Sequence, residues 1–116
     1  MENELTALVA RLRAFSDARD WAQFHSPKNL ACALSVEVSE LLEQFQWMKE
    51  EDSRLLSPEK LAAVESEVAD VFCYLLMITD KLDIDLIKST NKKIESNESR
   101  YPVDKAKGRS NKYNDL

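Results

Sequence analysis

The run Pro58–Leu82, PEKLAAVESEVADVFCYLLMITDKL, places apolar residues at Leu61, Val64, Val68, Val71, Phe72, Leu75, Ile78 and Leu82. Steps of three and four are the period of an α-helix, whose side chains return to one face about every 3.6 residues. Ser57-Pro58 supplies a start: the serine suits the N-cap, and proline suits the first helical position, where its missing N–H has no intrahelical role. Between Val68 and Ile78, apolar side chains surround nearly the whole circumference, a pattern expected only of a helix covered on every side. One short chain has little material for that cover, so a homo-oligomer sharing this helix in a common core is expected.

Upstream, Ser26-Pro27 repeats the start signal. From there Leu30, Leu34, Val38, Leu41, Phe45 and Met48 form a stripe of about five turns, with a helix end expected near Lys49. The polar stretch Glu50-Glu51-Asp52-Ser53 then separates the two long helices. Leu5, Leu8, Leu12 and Phe15 mark a further amphipathic helix within residues 4–20, and a last one is expected from about Asp85 to Arg100, before Pro102. A single Gly and three Pro leave few of the turn residues that hairpins need. The fold class is therefore all-α, a four-helix-bundle-like domain over residues 1–102 followed by a polar tail or lid, 103–116.

A formal charge of −5 argues against a basic surface for nucleic-acid polymers, which requires clustered Lys and Arg. No apolar run approaches a bilayer's thickness, and MENELTALVA opens with acids where a secretion signal carries bases, so a cytoplasmic protein without membrane attachment is expected. Cys32 and Cys73 stand apart, without the spacing of a zinc site or redox pair, and read as two buried free thiols.

Four acids are out of keeping with their surroundings. Glu37 and Glu40 fall at the edge of the apolar stripe of the second long helix upstream, and Glu67 and Asp70 are likewise three apart, with Asp70 set among Ala69, Val71, Phe72, Cys73 and Tyr74. Ionised carboxylates are rarely placed among apolar neighbours without a cation or donor, because desolvating each costs several kcal/mol. Folded as an antiparallel hairpin, the two helices bring the pairs level: Glu40 and Glu67 share the midpoint 53.5, as do Glu37 and Asp70. Four converging carboxylates repel, and a divalent ion or shifted pKa values must offset that repulsion. Mg²⁺ fits, being a hard cation that accepts a few carboxylates and keeps positions for water and phosphate oxygens. A di-iron bundle is disfavoured, because its Glu-x-x-His motifs are missing and the only histidine, His25, lies outside the hairpin.

The spacing Glu37-x-x-Glu40, 26 residues, Glu67-x-x-Asp70 resembles the signature of the MazG-like all-α nucleoside triphosphate pyrophosphohydrolases. Further points of similarity are Arg19-Asp20-Trp21, Phe24-His25, Pro27-Lys28-Asn29-Leu30, Phe45-Gln46-Trp47, Tyr74-Leu75, Lys93, Asn97 and Arg100-Tyr101-Pro102, together covering residues 19–102. The likeness is greatest to the single-domain branch that includes the dCTP pyrophosphatases. It implies hydrolysis of a nucleoside triphosphate, dCTP or a related deoxynucleotide, to the monophosphate and pyrophosphate. It further implies Mg²⁺ held by Glu37, Glu40, Glu67 and Asp70, catalysis through Glu40 and Glu37, and a homotetramer built as a dimer of dimers. By the same resemblance Trp21, His25, Trp47 and Tyr74 surround the base, while Lys28, Lys93, Asn97 and Arg100 meet the phosphates. Leu12 departs from the residue that some dCTP-type relatives carry there, which bears on base preference. A non-catalytic helical oligomer binding nucleotides or protein partners is the competing reading, but such a module gains nothing from burying four carboxylates.

Overall fold

The computed structural model describes residues 3–116, all of whose regular structure is helical. Four principal helices, α1 (Glu4–Ala18), α2 (Pro27–Glu43), α4 (Pro58–Lys81) and α5 (Leu86–Arg100), are accompanied by short pieces, among them α3 (Glu50–Ser53) between α2 and α4 and α6 (Val103–Ala106) after α5. No described helix is long and apolar enough to cross a membrane.

Helix starts follow local chemistry. Ser26 and Ser57 accept from the N–H of Asn29 (3.1 Å) and Lys60 (3.2 Å), with proline at the next position in both helices. Asn3 caps α1 through Thr6 and Asp85 caps α5 through Lys88. The end of α1 is a Schellman turn: the Trp21 N–H reaches the Ser16 carbonyl (2.9 Å), and the Asp20 N–H reaches that of Asp17 (3.1 Å). Asp20 takes the left-handed conformation this requires (φ 56°), which aspartate tolerates better than most residues. The reversal brings Trp21 back against Phe15, ring edge to ring face at 5.6 Å, and Arg19 covers Phe15 with its guanidinium 3.8 Å from the ring centre.

One helix end differs from the expectation. α2 stops at Glu43, not near Lys49, because Phe45 bonds back to Leu42 and Met48 to Phe45, the three-residue spacing of successive turns. The apolar stripe continues past the helix, since Phe45 and Met48 remain half-buried in those turns. The polar stretch after it forms the single helical turn α3. The thiols are both free, but Cys32 is exposed and Cys73 half-buried, which corrects the reading of two buried cysteines: Cys32 lies on the outward side of α2.

The chain divides into two compact units, one up to Asp83 and one from Ile84 to Leu116. In the first, α4 packs along α2 and against α1. Arg13 of α1 makes a two-pronged ion pair with Asp80 of α4, its Nε donating to Oδ2 at 2.8 Å and its Nη2 to Oδ1. That pair holds the Asp80 carboxyl below its ordinary range and raises the Arg13 guanidinium. A depressed carboxyl stabilises the fold at pH values above its unfolded pKa, and the contribution is lost as pH falls through the folded one. Asp80→Asn is therefore expected to lower the urea midpoint at neutral pH, with the gap to the parent closing below about pH 4, near the unperturbed carboxyl pKa, in an unfolding series followed by circular dichroism. In the second unit, the residues after α5 turn back on its end: Tyr113 meets Tyr101 edge to face at 6.1 Å and lies under the Arg100 guanidinium at 5.0 Å.

Among the described residues, only Leu30 and Leu76 of the large apolar side chains are fully enclosed, at 1% and 2% exposure. Val68 and Phe72 of α4 are 49% and 38% exposed, and Val36, Val38 and Leu42 of α2 are also open.

Candidate metal centre and adjoining cleft

The packing of α2 on α4 brings oxygens of Glu37, Glu67 and Asp70 within 4.8 Å of one another. The register runs in opposite senses: Glu40 and Glu43 act on Glu67, and Glu37 feels Asp70. Glu40 is not one of the three, but its carboxyl stands within hydrogen-bonding reach of both Glu37 and Glu67. The mirrored spacing of the sequence is thus realised in space.

Glu37 Oε2 and Glu67 Oε2 are buried without a hydrogen-bond donor. A neighbouring carboxylate cannot supply one, since it only accepts. Burial, reinforced by the neighbouring Glu40, Asp70 and Glu67, pushes Glu37 up to about 7, and burial beside Glu40 raises Glu67 as well. Burial and the nearby acids also raise the Tyr74 hydroxyl and the Cys73 thiol. Orphaned, closely spaced carboxylate oxygens are the donor set of a hard divalent cation.

An acid whose folded pKa is raised binds more protons folded than unfolded, so its stabilising contribution is present below its unfolded pKa and lost as pH rises through the folded one. For Glu37 the window runs from the ordinary carboxyl value of 4.5 to about 7. The metal-free protein is accordingly expected to melt at progressively lower temperature across that interval, and added Mg²⁺ to restore the loss at its upper end. Calorimetric melts with and without a chelator check both.

Asp70 also forms part of the wall of a cleft with about 280 Å³ of open space. Trp21, His25 and Tyr74, three of the four residues expected around a base, line it. So do Leu12, Phe15, Ser16, Cys73 and Met77. Of these additional residues, Leu12 and Phe15 belong to the apolar stripe of α1, and Cys73 and Met77 recur three and seven positions after Asp70, a helical step that marks them as sharing its face. Ser16 had no sequence signal beyond falling on the apolar side of α1.

The other expected residues lie elsewhere. Trp47 is 90% exposed in the turns after α2 and does not line the cleft. Lys28 is exposed in the first turn of α2. Lys93, Asn97 and Arg100 belong to α5 in the second unit, where the Asn97 carbonyl accepts from the Tyr101 N–H and Arg100 stacks on Tyr113.

Residues 32–116, which carry all four acids, match the MazG-like family. The chain belongs to the MazG-like family. This MazG-like chain is 40% identical over 111 residues to dCTP pyrophosphatase 1 of Bos taurus, covering 93% of itself and 66% of that protein. It has the same identity over the same length to dCTP pyrophosphatase 1 of Homo sapiens, of which it covers 65%. It spans slightly less than two thirds of the length of these relatives. The crystal structure of a pyrophosphatase from Archaeoglobus fulgidus superposes with a TM-score of 0.79 at 42% identity, over 88% of this chain and 95% of that one. The all-α fold of the MazG-like chain therefore agrees with that of a solved relative of similar length.

Proposed function

We propose that this chain hydrolyses nucleoside triphosphates, dCTP or related deoxynucleotides, to the monophosphate and pyrophosphate in the presence of Mg²⁺. The observation that carries the reading is a set of carboxylate oxygens within 4.8 Å of one another, opening through Asp70 onto an aromatic cleft. That juxtaposition supports a reading in which phosphate-bridging cations would bind beside a flat base. The names of the relatives, dCTP pyrophosphatase and pyrophosphatase, support the same reaction class.

Glu37, Glu67 and Asp70, with Glu40 beside them, would hold the ion. When bound, it supplies charge neutralisation for phosphate oxygens and a more acidic water. Glu40, the acid left outside the closest trio, would orient the attacking water and accept its proton, with Glu37 as its hydrogen-bonding neighbour. Trp21, His25 and Tyr74 would hold the base, since aromatic faces accept any planar ring. Trp47 would join them only when another part of the assembly meets it. Lys28, Lys93, Asn97 and Arg100 would donate to phosphate oxygens not engaged by the ion.

The open apolar residues of α2 and α4 favour a homo-oligomer, which we assign as a dimer of dimers with α4 at the shared core. Residues 1–102 would form the catalytic domain and 103–116 a polar tail or lid. The role this reading assigns is the cleansing of nucleotide pools in the cytoplasm.

The test is a pyrophosphate-release assay with purified protein on the natural ribo- and deoxyribonucleoside triphosphates, with Mg²⁺ and with chelator. Metal-dependent release with a matching monophosphate supports the reading. Release of no product from any of them would leave a non-catalytic nucleotide- or protein-binding oligomer.

A further inference from the structure

The cleft beside Asp70 is mostly apolar and aromatic, and Ser16 is the least ordinary residue in it. Ser16 is only 7% exposed, one of two buried polar residues of the described chain. Helical Ser and Thr hydroxyls commonly bond to a carbonyl one turn back. Ser39 does so to Ser35 (2.9 Å), and the other buried polar residue, Thr79, does so to Leu76 (2.9 Å). The Ser16 hydroxyl makes no such bond among the described residues, whereas its carbonyl is doubly engaged, accepting from the N–H of Trp21 (2.9 Å) and Arg19 (3.2 Å).

Its backbone is therefore fixed by the Schellman turn while its hydroxyl is left without a partner. The same side chain also lines a smaller cavity bounded by Arg13, Asp80 and Leu76, so it stands where the two spaces meet. Ser16 Oγ is not one of the buried oxygens left without a partner, so the hydroxyl reaches the open space of the cleft, where a polar atom of a ligand can meet it.

We propose that Ser16 is a specificity-determining residue whose hydroxyl meets the polar edge of the base while Phe15, Trp21 and Tyr74 form the walls. This rests on the reading of the cleft as the base site. A hydroxyl both donates and accepts, so it favours rings bearing amino or keto groups at that edge over rings presenting only carbon there. A single neutral hydrogen bond of this kind is worth roughly 5- to 10-fold in discrimination.

Deoxycytidine, thymidine, deoxyadenosine and deoxyguanosine, all without phosphates, are titrated into metal-free full-length protein and its Ser16→Ala variant, with binding followed by calorimetry. In parallel, kcat/KM is measured for the four corresponding triphosphates with Mg²⁺. The expected result is a loss of roughly 5- to 10-fold for the preferred base in binding and in kcat/KM, a narrower spread among the four, and a melting temperature no lower than the parent's. An unchanged ranking and spread would overturn the proposal. So would an equal loss for all four bases accompanied by a lower melting temperature, which marks a packing residue. Ser16-dependent nucleoside binding without turnover of any triphosphate would sink the hydrolytic reading and uphold this one.

Discussion

Glu37→Gln and Asp70→Asn are each expected to lower Mg²⁺-dependent pyrophosphate release on the order of a thousandfold, beyond the 10- to 100-fold typical of residues that only support a metal ligand. The same substitutions should make the metal-free protein melt higher, by roughly 5 °C. The reasoning runs through the crowding of Glu37, Glu67 and Asp70, whose oxygens lie within 4.8 Å of one another. Ionised, these groups repel and two of their oxygens find no donor. An amide removes one charge and adds an N–H, relieving both defects and weakening the cation site together. Loss of activity with a gain in metal-free stability separates a metal centre from a packing cluster, in which the amides leave activity intact. Melting with and without Mg²⁺, alongside the release assay, reads both quantities on one preparation. A metal-induced shift that survives in the variants would remove these acids from the ligand set.

The second large effect concerns assembly. Val68 and Phe72 stand one helical turn apart on α4 and are both substantially exposed, and Leu61 lies two turns before Val68 on the same side. Val68→Asp with Phe72→Glu places two charges on that stripe, and burying unpaired charges costs several kcal/mol each. The doubly substituted chain is expected to elute as a monomer at concentrations where the parent is an oligomer, in size-exclusion chromatography with light scattering. An unchanged elution volume would show that this stripe is not the shared surface.

The parts of the fold legible in the sequence are those governed by short-range chemistry. Ser26-Pro27 and Ser57-Pro58 state their helix starts through a hydroxyl and a ring, and the structure uses both as written. The acids were legible for a different reason: their spacing mirrors the hairpin, so register alone brings Glu37 to Asp70 and Glu40 to Glu67. The end of α2 was not legible, because the periodicity of Phe45 and Met48 measures burial, and turns can bury side chains at similar intervals. The cleft was only partly legible. Trp21, His25 and Tyr74 entered it through resemblance, whereas Ser16 faces it because a chain reversal three residues later turns the backbone, and no local pattern announces where a reversed chain will lie.

That reversal also sets how the gene can vary. Between Ser16 and Trp21 a one-residue insertion or deletion would break the turn in which the Trp21 N–H meets the Ser16 carbonyl and Asp20 takes the left-handed conformation. Either would carry Trp21 away from the Phe15 ring against which the reversal sets it, and so remove one wall of the cleft. Length changes are tolerable in the loops flanking Glu50–Ser53, where no cleft wall depends on phase, but the Arg19-Asp20 junction admits substitution and no change of count.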